Sequence, residues 1–412
     1  MILAPLLAAA LSAAPAAAAP PFALRDGDRV VFYGDSITQD GAYALFVEQY
    51  VRTRFPKWDV RFYNAGVGGD TVRGGGAGPI DVRLARDVIA LQPTVVTVML
   101  GMNDGGYKRF DPTTLSAFAD GYRAIAERLQ RELPGVRLTF LRSSPFDDVS
   151  RPPQFAPGYD DTLRRLGCYV VQLAGPAKAT VADFRETVNA GLAAVVKENP
   201  ELAKQVIPDR VHPGPAGHLV MGATLLRAWN APGLVSRVEI DAAAGRASAA
   251  ERATVSELAA AGGGVAWTQL DESLPLPLNY DDAGVDLAQK AGADLESLDR
   301  QTLVVAGLAP GRYDVKIDGR AVATLTAADL AAGVNLARYN TPMRWQAYSV
   351  TWSAEEGHDL QVLRRGLLAD SSKDPSLAAT AEALAARDEA EQKARSAAAT
   401  PKPHRFEVVP VR

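Results

Sequence analysis

The chain has 412 residues, of which 47% are hydrophobic and 22% charged, and its 44 basic and 48 acidic side chains leave a formal charge of -4. That length suits two or three domains with a sizeable core, and the weakly acidic balance lacks the basic footprint of a nucleic-acid binder. One cysteine, Cys168, and four histidines, His212, His218, His358 and His404, exclude an intrachain disulfide framework and a cysteine-rich metal centre and argue against a histidine-rich one.

Residues 1–19 are Ala- and Leu-rich, carry no charged side chain, and end in Ala17-Ala18-Ala19. This pattern resembles a secretory signal with a small-residue cleavage site, so the chain is expected to be exported, to a bacterial periplasm or beyond. Pro5 and Pro15 interrupt a stretch barely long enough to span a bilayer. No later segment reads as a membrane span, and no stable membrane insertion is expected once the signal is removed.

From Arg25 to Leu234, β-rich runs alternate with helical patterns. The runs are Arg29–Tyr33, Val60–Tyr63, Val95–Leu100, Leu138–Leu141 and Tyr169–Leu173. Several are almost continuously apolar, as in a parallel sheet covered on both faces. Between them, apolar residues recur at helical spacing, around Ala44–Val51, Leu84–Leu91, Leu115–Leu129 and Val188–Val196. Alternation of strand and helix predicts a three-layer α/β domain with right-handed crossovers.

After Pro232-Gly233 the pattern changes. Leu303–Val305, Tyr313–Ile317 and Val322–Leu325, separated by Pro310-Gly311 and Asp318-Gly319, read as a small antiparallel meander. Residues Ser376–Ala399 read as a helix rich in Ala and Glu, and Arg405–Val411 as a closing strand. The predicted division is a signal at 1–19, a catalytic domain at 25–234, and a β-rich module at 235–412 with that helix and strand.

Three polar motifs follow the first three predicted strands: Gly34-Asp35-Ser36, Asn64 through Thr71, and Gly101-Met102-Asn103-Asp104. That edge of an open α/β sheet is where ligands bind. A fourth motif, Pro208-Asp209-Arg210-Val211-His212-Pro213, is held out of helix by its prolines. Together they suit acyl transfer. A serine hydroxyl needs a neutral imidazole to take its proton, and the imidazole needs a partner on its other nitrogen. Ser36, His212 and Asp209 supply these roles. Gly69, the Asn103 amide and the Ser36 N–H supply donors for an oxyanion.

These four blocks resemble the signature blocks of the SGNH (GDSL-type) hydrolases. The resemblance maps the four name residues onto Ser36, Gly69, Asn103 and His212, with Asp209 as the histidine's partner. Gly69 is preferred to Gly68 because the glycine preceding Asp-Thr occupies the family's oxyanion position. It implies a flavodoxin-like α/β/α sandwich and esterase or lipase activity with no cofactor and no metal, and it covers Arg25 to Leu234.

Other readings of the same residues are blander. Ser36 could be a helix N-cap, and His218 reads as a packing or capping residue. Asp35 and Asp104 read as acceptors for neighbouring backbone N–H groups. The glycines from Gly66 to Gly78 fit neither the dinucleotide fingerprint nor a phosphate loop, and no Gly-x-Ser-x-Gly elbow is present. Tyr339, Trp345, Tyr348 and Trp352 read as the core of the second module, and the Pro-rich stretch 144–158 as a substrate-shaping loop on the active-site edge. The expected function is an exported serine esterase acting on a short acyl ester, an acetylated glycan above all. A lipase or lysophospholipase of the same fold, and a non-catalytic carbohydrate-binding surface protein, are the alternatives.

Overall fold

A computed structural model of the chain describes residues 20–371 and 374–411; the expected signal segment, 1–19, lies outside the described residues. The first half is built on five parallel strands, β1 (Arg29–Gly34), β2 (Arg61–Gly66), β3 (Val95–Met99), β4 (Arg137–Arg142) and β5 (Thr180–Asp183), in the order β2-β1-β3-β4-β5. Register runs Val30 to Phe62 and to Val95, Val96 to Leu138, and Phe140 to Val181. Because side chains alternate across a strand, the apolar runs feed two cores. Val30, Phe32, Val95 and Met99 face one layer, and Val31, Tyr33, Val96 and Val98 the other.

Helices α1 (Ser36–Asp40) and α2 (Ala42–Arg54) follow β1, α3 (Ile80–Asp87) follows β2, and α4 (Pro112–Glu132) follows β3. Then come α5 (Tyr159–Ala177), α6 (Phe184–Glu198) and α7 (Pro215–Ala228). Helices α2, α6 and α7 bury Tyr50, Leu192 and Met221 on one side of the sheet. Helices α3, α4 and α5 bury Leu84, Tyr122 and Val170 on the other. The domain is thus the expected α/β/α sandwich, with the strand order of the flavodoxin-like class.

One predicted strand is wrong. Tyr169–Leu173 lies within α5, and the fifth strand is Thr180–Asp183. The Tyr-Val-Val run has strand-like composition, but Leu166, Val170, Ala174 and Ala177 are buried at helical spacing while Val171 is exposed. Packing of a long amphipathic helix therefore overrides the β preference of a few residues.

The second half contains two antiparallel-rich sheets. Strands β6 (Leu234–Asp241), β7 (Arg246–Glu251), β8 (Ala253–Ala261), β9 (Gly264–Asp271), β10 (Arg300–Ala306), β11 (Arg312–Ile317), β12 (Arg320–Thr326), β13 (Val334–Asn335) and β14 (His404–Pro410) form the orders β8-β9-β14-β11-β12 and β13-β10-β6-β7. The meander is only partly as expected. Strands β11 and β12 form a hairpin across Asp318-Gly319, but β10 pairs in parallel with β6 in the other sheet. The chain changes sheet at Pro310-Gly311, so the first of the two expected turns is a crossover between layers. The closing strand β14 inserts between β9 and β11, and the core between the sheets holds Trp267 stacked on Phe406 at 5.2 Å.

Three helices of this half, α8 (Ala283–Lys290), α9 (Pro342–Asp370) and α10 (Ser376–Ala398), were only partly legible. The 29-residue α9, with Thr341 as N-cap and Pro342 in its first turn, was not foreseen. It crosses the open edge of the first sheet with α10. The Asn64 N–H donates to Gln361 Oε1 at 2.8 Å, Gln361 Nε2 to Phe62 O at 2.9 Å, and the Phe62 N–H to Gln392 Oε1 at 3.3 Å. Two glutamine side chains thereby satisfy a strand edge that could otherwise pair with another chain. Residues of 276–298 pack into the same core as α7, so the second half is joined to the first by apolar burial as well as by chain.

Candidate active site

Three of the four motifs meet because β1, β2 and β3 are adjacent and parallel and their C-terminal ends open on one edge. Gly34 closes β1. A Cβ there would sit 2.3 Å from Thr38 Oγ1 and 2.7 Å from Met99 O, so only glycine lets α1 start this close to the sheet. Asp35, in extended conformation, caps α1 by accepting from the Ile37 N–H at 3.1 Å. The N-cap role considered for Ser36 is therefore taken by its neighbour, and Ser36 stands as the first helical residue with its hydroxyl outward.

Its partner comes from 176 positions along the chain. Ser36 Oγ lies 2.9 Å from His212 Nε2, and His212 Nδ1 lies 2.7 Å from Asp209 Oδ2. The second carboxylate oxygen, Oδ1, accepts the backbone N–H groups of His212 at 2.7 Å and Val211 at 2.9 Å. Burial alone would raise the Asp209 pKa, but the hydrogen bonds from the His212 side chain and the two backbone N–H groups outweigh it and hold the carboxyl below its ordinary value. Asp209 is thus kept as the anion that orients an imidazole.

The loop bearing this pair is clamped by the Pro-rich stretch. The Asp147 N–H donates to Arg210 O at 2.9 Å, and the Arg210 guanidinium donates to Asp147 O and Pro152 O. Arg151 donates to Ile207 O and Pro208 O. Residues 147–152 therefore buttress the histidine loop from outside.

The donor side is equally built. Gly69 has a left-handed φ of 76°, and the space where a Cβ would point is empty. The Gly68 N–H is engaged by Gln39 Oε1 at 2.7 Å, whereas the Gly69 N–H donates to no group among the described residues. That difference separates the two adjacent glycines on physical grounds. Asn103 Nδ2 donates one proton to Asp70 O at 3.1 Å, and Tyr107 donates to Asn103 Oδ1 at 3.1 Å. The amide is held with its second N–H available. The α1 N-terminus adds the Ser36 N–H, which precedes the helical ladder. Replacing Asn103 with Ala is expected to lower kcat roughly 10²–10³-fold with little change in KM, measured on a soluble ester. A loss below threefold would remove Asn103 from the donor set.

Several supporting residues escaped the sequence reading. Arg83, fully buried, donates to Asp70 Oδ2 at 2.8 Å and Ala65 O at 2.9 Å and also pairs with Asp87. It anchors the turn that carries Gly69. His358, on α9, lies 3.1 Å through Nε2 from Gln39 O and 3.4 Å through Nδ1 from Asn64 Nδ2. A residue of the second half thus braces the segment whose side chain holds Gly68. Nothing local in the sequence marks these roles, since the contacts with Asp70, Ala65 and Gln39 span more than ten positions. His218 packs parallel on Tyr43 at 6.2 Å, accepts the Tyr43 N–H and meets Asp40. It is a packing residue, as expected. His404 contacts Asp318 at the β11–β12 turn, in the second half of the chain.

Asp35 and Asp104 serve backbone donors, Ile37 N–H and Val72 N–H. Burial pushes them up to about 7 and about 6. For Asp35, the folded chain keeps a proton that the unfolded chain releases above its ordinary value of 3.8. Stability contributed by this group therefore falls as pH rises from about 4 to about 7. Asp35→Asn retains an amide oxygen for the Ile37 N–H. It is expected to raise the melting temperature at pH 8 by about 5 °C, with the advantage shrinking at pH 5. An equal effect at both values would contradict this account.

The aromatic expectation fails. Trp345 and Trp352 are 53% and 62% exposed, so they are not the core of the second module. That role belongs to Trp267, Phe406, Tyr313 and their neighbours. Among the described residues, no three His, Cys, Asp or Glu side chains converge to hold a metal ion, and no helix is long and apolar enough to cross a membrane.

Residues 32–220 match the family model of the GDSL-like Lipase/Acylhydrolase family. An acetylxylan esterase of Geobacillus stearothermophilus is 26% identical over 226 residues, covering 49% of this chain and 93% of that enzyme. The solved structure of a gut microbial diltiazem-metabolizing enzyme is similar over 94% of this chain and 98% of its own, with 25% identity and a TM-score of 0.83. That likeness includes the two sheets of the second half.

Proposed function

Residues 32–220 place this chain in the GDSL-like lipase/acylhydrolase family, and from that premise we propose that it is a serine esterase removing short acyl groups, acetyl above all, from a polysaccharide. The observation that carries the reading is the unbroken line from Ser36 Oγ through His212 to Asp209, beside a glycine N–H and an amide with protons to give.

The ester carbonyl lies against Ser36 with its oxygen toward the N–H groups of Ser36 and Gly69 and the Asn103 amide. His212 Nε2 takes the hydroxyl proton as Oγ bonds to the carbonyl carbon, and the carbonyl electron pair moves onto oxygen. Collapse of the tetrahedral species breaks the bond to the alcohol, which leaves with the proton from His212. Water repeats the sequence on the acyl-enzyme: His212 takes its proton, the acid departs, and Ser36 recovers its hydrogen. Asp209 stays ionised throughout and stabilises the imidazolium.

The short polar substrate is supported by the pocket at Asn103, whose wall sets Thr71, Arg73, Asp104, Thr113 and Thr114 beside Val72, Ala117 and Phe118. Three hydroxyls and a guanidinium in that wall suit an acylated sugar better than a fatty chain. The relative that is an acetylxylan esterase points the same way. The Ala- and Leu-rich segment 1–19 supports export, where polysaccharide would be met.

The test is acetate release from acetylated xylan, run beside a series of p-nitrophenyl esters of rising acyl length. Acetate is expected from the polymer, with kcat/KM falling beyond four carbons. Preference for chains of eight carbons or more would replace this reading with a lipase.

A further inference from the structure

Helix α9 carries Trp345, Tyr348 and Trp352 at positions i, i+3 and i+7, and so on one face. Both tryptophans stand more than half exposed, although indole is among the largest apolar surfaces a chain can bury. The Trp345 and Tyr348 rings lie 5.6 Å apart at 50°. With Trp352 they wall a pocket whose other sides are Asn279, Asp281, Asn340 and Arg344.

Arg344 sharpens the reading. The residue is only 5% exposed, yet its Nε has no hydrogen-bond partner among the described residues. An unsatisfied guanidinium donor is costly to bury. Here it sits in the wall of an open aromatic pocket.

We propose that this face of α9 is a glycan-binding subsite, which holds pyranose rings of the acylated polymer outside the catalytic cleft. This rests on the reading that the ester is carried by a glycan. A pyranose ring presents C–H faces and hydroxyl edges, matching flat indoles beside two amides, a carboxylate and a guanidinium. A purely apolar partner would leave those polar groups desolvated and unpaired. Trp352 precedes His358 by six residues, about 9 Å of helix, and His358 contacts Gln39 O, three residues beyond Ser36. The subsite and the catalytic loop are thus braced by one rigid element.

The test uses the full chain and two unacetylated probes, xylohexaose and hexagalacturonate, in titrations followed by calorimetry and tryptophan fluorescence. At least one probe is expected to bind and quench. The double variant Trp345→Ala/Trp352→Ala should weaken binding about tenfold or more and raise KM on acetylated xylan. Its kcat on p-nitrophenyl acetate should stay within about twofold of the parent, which also shows that it folds. Trp345→Phe/Trp352→Phe should retain most of the binding. Failure of both probes to bind the parent, or equal binding by the double variant, overturns the subsite. So does a parent dimer that becomes monomeric in the double variant without glycan binding, since the face would then join two copies. Binding without acetate release from xylan would sink the substrate reading and leave the subsite standing; acetate release without binding would do the reverse.

Discussion

Ser36→Ala is expected to lower kcat on p-nitrophenyl acetate by about 10⁴–10⁶-fold, with the fold intact and substrate still bound. The hydroxyl lies 2.9 Å from His212 Nε2 and stands at the N-terminus of α1. Removing it takes away the covalent route but leaves Gly69 and Asn103 able to polarise a carbonyl. His212→Ala should cost about as much, because the serine without its base is a weak nucleophile. The double variant should be no worse than either single one, since the two residues act as a unit. A serine-directed fluorophosphonate should add its mass to Ser36 in the parent and fail to label the His212→Ala chain at a comparable rate. More than about 1% of parental activity in Ser36→Ala would place the nucleophile elsewhere.

The second large effect is expected from Asp209→Asn, and its cause is tautomeric. In the parent, Oδ1 is held by the backbone N–H groups of Val211 and His212, while Oδ2 faces His212 Nδ1. An asparagine has one oxygen, and the two backbone donors will hold it at the Oδ1 position. Its NH₂ must then face Nδ1, which can meet it only as an acceptor. The imidazole proton moves to Nε2, the atom that should receive the Ser36 proton, and the base is lost with its geometry unchanged. Because both side chains are about half exposed, water can soften the penalty that a fully buried carboxylate would show. A fall in kcat of roughly 10²–10⁴-fold is expected. Asp209→Ala, which has no amide to enforce the wrong tautomer, should be the less damaged of the two. Should Asp209→Asn lie within tenfold of the parent, the tautomer argument fails.

The exposed pair on α9 and the catalytic line differ in how they could be read. Ser36, Gly69, Asn103 and Asp209-x-x-His212 sit in short local motifs, three of them at strand ends, and the family resemblance singles out Gly69 from its neighbour. They were legible because a parallel sheet with alternating helices sends every strand's C-terminal end to one edge. Trp345 and Trp352 carry no such local mark. Composition says only that indoles are usually buried, and that expectation was wrong for both.

Short stretches of sequence carry the α/β alternation, the two-faced apolar strands β1, β3 and β4, the hairpin at Asp318-Gly319 and the motifs of the proposed acyl-transfer residues, because each is written within a few neighbouring positions. Packing across the fold makes Tyr169–Leu173 helix, joins β10 to β6, closes the β2 edge with Gln361 and Gln392, and braces the candidate-site loops with Arg83 and His358. The reason is physical: an apolar run suits a strand or a helix equally until another layer selects the face it buries, and a buried polar group chooses its partner by proximity in space, which local spacing does not encode.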